Sequence, residues 1–181
     1  MNNQETFNIQ NIKLIVGLGN PGKEYIKTRH NAGFIFLDKL SSNFLVEQKF
    51  KSEFCTAILK DKKLILAKPQ TYMNSSGEAV LAIMQFYKLE PSELLVAHDD
   101  LDIKLGDYKL QFNKGPKVHN GILSIENLLS TSAFWRLRIG IDNRSEELKK
   151  NISGSDYVLG RFNEEELNIL DKTLSTIAEF N

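Results

Sequence analysis

The run KLIVGLG, residues 13–19, is short, apolar and rich in β-branched residues, and glycine and Pro21 stop it abruptly. That pattern reads as a buried strand ending in a tight turn. Patterns of helical and strand period then alternate down the chain. Ala32, Phe36, Leu37, Leu40 and Phe44 recur at helical spacing, which predicts a helix from Thr28 onward with Thr28 as N-cap. Segments 49–59 and 62–68 read as a hairpin or adjacent strands across Lys60 and Asp61. Residues 75–88 open with Ser75-x-x-Glu78, a capping box, and predict a second helix. Strands are expected over 93–102, 106–112 and 134–142, helices near 119–130 and over 163–180, with Asn163 as cap of the last. Alternation of this kind implies the α/β class: a single domain with a twisted mixed β-sheet flanked by helices. Residues 1–11 are expected to form a flexible N-terminal tail, and 12–181 one domain.

Length and composition bound the function. A chain of 181 residues can bury a core without staples. Lys and Arg together number 23, as do Asp and Glu, so the formal net charge is zero. That excludes a globally basic nucleic-acid binder but not a local basic face. The single cysteine, Cys55, excludes an intramolecular disulfide framework, suits a reducing compartment, and reads as a small buried hydrophobe within a strand. The polar N-terminus lacks the apolar core of a signal peptide, and no apolar stretch is long enough to span a bilayer. A cytoplasmic, membrane-free protein is the expectation.

Gly17, Gly19 and Gly22 fit G-x-G-x-x-G after a strand, the fingerprint of a dinucleotide-binding turn. Its context fails. The third glycine should open a helix that receives the pyrophosphate, yet helical periodicity starts only near Thr28. Asp38 has roughly the right offset for the ribose acid but falls inside a helix. No cofactor is expected.

The chain has three histidines, His30, His98 and His119. Their spacing matches no zinc pattern and no thiolate accompanies them, so no metal is expected, although the HDDLD acids (98–102) resemble a magnesium-binding turn. There is no G-x-S-x-G nucleophile. A histidine base oriented by a carboxylate and acting on water remains, which suits hydrolysis of an activated ester. Asn20, Asn31, Asn74 and Asn120 recur at loop positions. Their amides both donate and accept, as recognition of an ester or amide requires, though asparagine is favoured in turns regardless.

In this order, LIVGLGNPGKEYIKTRHNAGF, KPQTYMNSSGEAV, AHDDLD, HNG and RLRIGID resemble the signature blocks of the bacterial peptidyl-tRNA hydrolase family, in register from about residue 12 to 142. The resemblance implies hydrolysis of the ester between a peptide and the 3′ ribose of tRNA, without a cofactor. It implies His30 as catalytic base, Asp99 as the acid that orients it, and Asn20 as the residue that discriminates blocked from free aminoacyl groups. Tyr25, Tyr72, Asn74 and Asn120 match positions at the tRNA 3′ end or peptide, with Met73 and His119 beside them. A histidine at a helix N-terminus is expected to have its pKa lowered by the dipole, against a carboxylate that raises it. Among Lys104, Lys109, Lys114, Lys117, Arg136 and Arg138, the patch expected to grip the tRNA backbone is Lys109, Lys114, Lys117 and Arg138.

The chain departs from the family pattern in one loop. Val118 precedes His119 where glycine is usual, Pro116 stiffens the approach, and Leu123 replaces a common lysine. The chain also ends at Asn181, earlier than many relatives, so a shorter final helix is expected. The rival readings are a catalytically silent RNA-binding relative of the same fold and a small-molecule esterase. The expected partner is the 3′ end and acceptor stem of peptidyl-tRNA, and the expected state a monomer.

Overall fold

The computed structural model describes residues 6–180. Its seven-stranded sheet has the order β2-β3-β4-β1-β5-β7-β6. The strands are β1 (Leu14–Gly17), β2 (Leu45–Glu47), β3 (Ser52–Leu59), β4 (Lys62–Pro69), β5 (Leu94–Lys104), β6 (Tyr108–Phe112) and β7 (Trp135–Asp142). The central strands β4, β1, β5 and β7 run parallel, and antiparallel β3 and β6 flank them. This is the mixed sheet the sequence predicts. Lys60 and Asp61 both adopt positive φ, 49° and 61°, the conformation that a two-residue hairpin between β3 and β4 requires.

Among the described residues six α-helices flank the sheet: α1 (Ala32–Leu40), α2 (Ser76–Tyr87), α3 (Asn120–Leu129), α4 (Glu146–Asn151), α5 (Gly154–Leu159) and α6 (Glu164–Ala178). Alternation along the parallel strands divides the core. Ile15, Leu66, Leu95 and Leu137 pack with Phe36 and Leu37 of α1 and Leu170 and Leu174 of α6. Leu14, Val16, Leu94 and Val96 pack with Val80 and Ile83 of α2 and Ile125 of α3. Both faces of the sheet are therefore buried, which explains why its central strands read as continuous apolar runs. Cys55 is buried, as its apolar neighbours suggest.

Several local expectations are corrected. Thr28 caps no helix with its side chain; its hydroxyl donates to the Tyr25 carbonyl at 2.8 Å. A single 3-10 turn, Arg29–Asn31, intervenes, and α1 starts at Ala32 and ends before Phe44. The Ser75–Glu78 capping box does not form: a 3-10 turn over Met73–Ser75 leads into α2, and Glu78 pairs with Lys51 at 2.6 Å. The box does form at α6, between Asn163 and Glu166. Of the tail expected over 1–11, residues 1–5 lie outside the described residues. The rest is anchored, with Phe7 edge-on to Trp135 at 5.1 Å and Ile9 buried. Apolar side chains in an otherwise polar stretch find a hydrophobic seat that only the assembled sheet provides.

The glycines of the first turn serve close packing. A Cβ on Gly33 would lie 2.3 Å from the Ala97 carbonyl oxygen and 2.4 Å from the Leu18 nitrogen, and one on Gly17 would lie 2.3 Å from the Gly33 oxygen. The start of α1 thus rests directly on the ends of β1 and β5. Gly33→Ala is expected to cost about 1–3 kcal/mol or more, because rigid backbone must give way; a thermal melt checks it, and an unchanged Tm contradicts it.

Candidate active site

β1 and β5 lie side by side, and the turns beyond their carboxyl ends open onto a cleft, the usual ligand position in parallel α/β sheets. Its volume is about 440 Å³. Asn20 comes from the loop after β1, His30 from the 3-10 turn before α1, and Tyr72, Met73 and Asn74 from the approach to α2. Asp99 comes from β5, and His119 and Asn120 from the start of α3. Leu101, Val118, Val158 and Leu159 form an apolar wall.

Asp99 is the hub. His30 Nδ1 lies 2.9 Å, and His119 Nε2 3.0 Å, from the same Asp99 Oδ1. The His119 tautomer follows from its other nitrogen, which accepts the backbone N–H of Gly121 at 3.2 Å and of Ile122 at 3.4 Å as N-cap of α3. Nδ1 of His119 therefore carries a lone pair and its Nε2–H donates to Asp99. Both its nitrogens are committed inside the protein. His30 donates from Nδ1, no hydrogen bond engages its Nε2 among the described residues, and the residue lines the cleft. The ligand atoms of His30, Asp99 and His119 lie within 4.8 Å of one another; shared N–H donation to one carboxylate oxygen accounts for that clustering.

Electrostatics follow from this arrangement. Burial opposes ionisation of Asp99, but His30 and His119, by charge and hydrogen bond, hold its carboxyl far below the usual carboxylate range. Burial lowers the His30 pKa, and the charge and hydrogen bond of Asp99 outweigh it, so the net shift is upward from 6.5. The expected lowering by a helix dipole is not what prevails. His30 sits in a 3-10 turn ahead of α1, and the carboxylate 2.9 Å away is the stronger field. His98 is fully buried behind His119, with ring centroids 4.9 Å apart, and burial pushes its pKa well below 6.5.

Asn20 is held on three sides. Its Oδ1 accepts the Met73 N–H at 2.9 Å, which turns its amide NH₂ the other way. Asn31 clamps its backbone, accepting Asn20 N–H at 2.9 Å and donating Nδ2–H to the Asn20 carbonyl at 3.0 Å. Asn31, grouped above with the loop asparagines suited to ester or amide recognition, does not line the cleft and spends its amide on the Asn20 backbone instead. Its position directly after His30 is the signal that was there to use. Val158 and Leu159, the part of the apolar wall that α5 supplies, carry no such signal, and no element is predicted over 143–162.

Of the other expected residues, Tyr72, Met73, Asn74 and Asn120 line the cleft with His119, and Tyr72, Asn74 and Asn120 are exposed. Tyr25 is not among the lining residues; it lies in the turn leading to His30, where its carbonyl accepts the Thr28 hydroxyl. The expected basic patch divides. Lys109, Lys114 and Lys117 are exposed, Lys117 facing Asp102 at 3.3 Å. Arg138 is instead buried, donating from Nε to Asp100 at 2.7 Å and from Nη1 to Gln111 at 2.9 Å. Arg136 is likewise committed, to Glu126 and to the Gly115 carbonyl. β7 is an interior strand, so arginines on it need internal partners.

The model of the family described as "Peptidyl-tRNA hydrolase" matches residues 14–180. A peptidyl-tRNA hydrolase of Sulfurihydrogenibium sp. (strain YO3AOP1) is 46% identical over 166 residues, which is 91% of this chain and 86% of that protein. One of Neisseria meningitidis serogroup C (strain 053442) is 51% identical over 136 residues, 73% of this chain and 71% of that protein. The crystal structure of peptidyl-tRNA hydrolase from Acinetobacter baumannii superposes with a TM-score of 0.83 at 36% identity, covering 96% of this chain and 88% of that one. A peptidyl-tRNA hydrolase solved in complex with N-propanol gives 0.84 at the same identity and coverage. A family match over residues 14–180 and relatives 46% and 51% identical over most of its length show that this chain belongs to the peptidyl-tRNA hydrolase family, a family of carboxylic ester hydrolases.

Proposed function

We propose that this protein hydrolyses the ester joining a peptide to the 3′ ribose of tRNA, with His30 as general base. The observation that carries the reading is the His30 Nδ1–Asp99 contact at 2.9 Å, which leaves Nε2 open to the cleft. Nε2 takes a proton from water as its oxygen attacks the ester carbonyl carbon. Negative charge develops on the carbonyl oxygen, and the Asn20 amide N–H, turned outward by the Met73 bond, is the donor available to it. Asp99 stabilises the imidazolium that forms. Collapse breaks the bond to the 3′ ribose oxygen, which recovers the proton from His30 Nε2. A peptide carboxylic acid and tRNA with a free 3′ hydroxyl result. Tyr72, Asn74 and Asn120 flank the path of the tRNA 3′ end, and the apolar wall suits the peptide. No residue of this scheme needs a metal or cofactor.

The test is selective cleavage. Incubation with an N-acylated aminoacyl-tRNA, an unblocked aminoacyl-tRNA and a simple ester should release tRNA from the first alone. Cleavage of none would leave an RNA-binding protein, and equal cleavage of the simple ester a general esterase.

Lys109, Lys114 and Lys117 are the cations left to meet tRNA phosphates, since Arg138 is buried with Asp100. Lys109→Glu should weaken tRNA binding and flatten the log–log salt dependence by about one unit of slope. An unchanged slope removes Lys109 from the contact surface.

A further inference from the structure

The scheme above leaves a buried ion pair beside His30 without a task. Arg29 Nη2 donates to both carboxylate oxygens of Glu166 at 2.8 Å. The guanidinium carbon lies 4.1 Å from the Tyr157 ring centroid and 5.3 Å from that of Phe162. Glu166 is itself fixed by the capping box of α6, accepting the Asn163 N–H at 2.8 Å and donating its own N–H to Asn163 Oδ1 at 2.8 Å. The backbones are tied as well. Arg29 N–H donates to the Gly160 carbonyl and Phe162 N–H to the Lys27 carbonyl, each at 3.0 Å, and Thr28 bridges Arg161.

His30 thus stands between two anchored neighbours, Arg29 fastened to the 160–166 segment and Asn31 to the loop bearing Asn20. A buried ion pair is an expensive way to secure mere stability, because desolvation offsets much of the attraction and an apolar pair of equal volume often serves as well. Here the expense is greater still, since Arg29 Nε has no hydrogen-bond partner among the described residues. What such a pair supplies, and packing alone does not, is direction.

We propose that Arg29 and Glu166 are positioning residues: together they lock the 29–31 turn against the start of α6 and hold the His30 imidazole in register with Asp99. Neither lines the cleft. The titratable groups facing His30 are Asp99 from β5, His119 from the start of α3 and Tyr72 across the cleft, with Arg29 on its own turn. Asp99 is the one that raises its proton affinity, so any loosening of the turn registers in how His30 titrates. The kinetic half of the test rests on the hydrolase reading; the titration half does not.

Glu166→Gln and Arg29→Lys are made in the full chain. The His30 imidazole is titrated by NMR, and kcat and KM are measured on an N-acylated aminoacyl-tRNA. The expected result is a His30 midpoint moved to lower pH in both variants, as the Asp99 contact lengthens while burial persists. With it, kcat falls about tenfold or more and KM stays within about twofold, because a misplaced base hurts the reaction and not binding. Arg29→Lys, which keeps the charge, should be the milder change. Wild-type midpoints in both folded variants would overturn the inference whatever kcat does. So would failure of both to fold, which would assign the pair to stability. A moved midpoint in a protein whose wild type cleaves no peptidyl-tRNA would uphold the positioning role and sink the hydrolase reading.

Discussion

His30→Ala should lower kcat on an N-acylated aminoacyl-tRNA by roughly 10²–10⁴-fold, the usual worth of a positioned general base, while tRNA still binds. The geometry gives the reason. His119 spends Nδ1 on the N-terminus of α3 and Nε2–H on Asp99. His98 is sealed behind it, donating Nδ1–H to the Asp99 carbonyl at 2.7 Å. Neither can take over as base, so the loss should not be partly rescued by a neighbour. Single-turnover hydrolysis and a tRNA-binding titration separate chemistry from affinity. Near-normal turnover would remove His30 from the mechanism.

Asp99→Asn should be of comparable size, on the order of 10²–10⁴-fold in kcat, for a different reason. The carboxylate accepts N–H from His30 and His119 at one oxygen, and only an ionised group both fixes the His30 tautomer and steadies its imidazolium. An asparagine keeps the volume and loses the charge. The pH profile should change too. His30 titrates above 6.5 in the native protein because of Asp99, so the rate should rise through a limb on the alkaline side of that value, and Asp99→Asn should move the limb down. An unmoved limb would show that Asp99 does not set the base.

The same shifts give a stability signature. Asp99 has its pKa lowered in the native state, so its contribution is present above the unfolded value of 3.8 and is lost as pH falls through the native one. His30 has its pKa raised, so its contribution is full below 6.5 and is lost as pH rises through the native one. The pair therefore supports the fold most between pH 3.8 and 6.5, whereas the proposed role of His30 as base requires its neutral form, at higher pH. On that proposal the site works in the form that has lost part of the His30–Asp99 attraction.

The segments with one strong period were legible from the chain. β1 and the last helix α6 read correctly because a short buried run and a long amphipathic pattern each have one structural solution. Ser75-x-x-Glu78 misled because it satisfies the capping pattern locally, while Lys51, brought close by the fold, draws Glu78 away. No element is predicted over 143–162, where α4 and α5 have six residues each and bury few side chains, too short a stretch for a period to show. Arg138 looked like a surface cation until its strand proved interior and Asp100 proved to be its partner.

The class of fold, the place of the cleft beyond the first strand, and the residue types suited to its chemistry are readable from the chain alone. Those depend on local period, on turn residues and on which side chains can carry a proton. The rest depends on packing. His30 and His119, 69 and 20 residues from Asp99 in the chain, meet at one of its oxygens only after β1, β5 and α3 are packed. Glu166 reaches Arg29 across 137 residues. Such contacts join elements whose separation along the chain says nothing of their distance in space, and the direction of the His30 pKa shift follows from them.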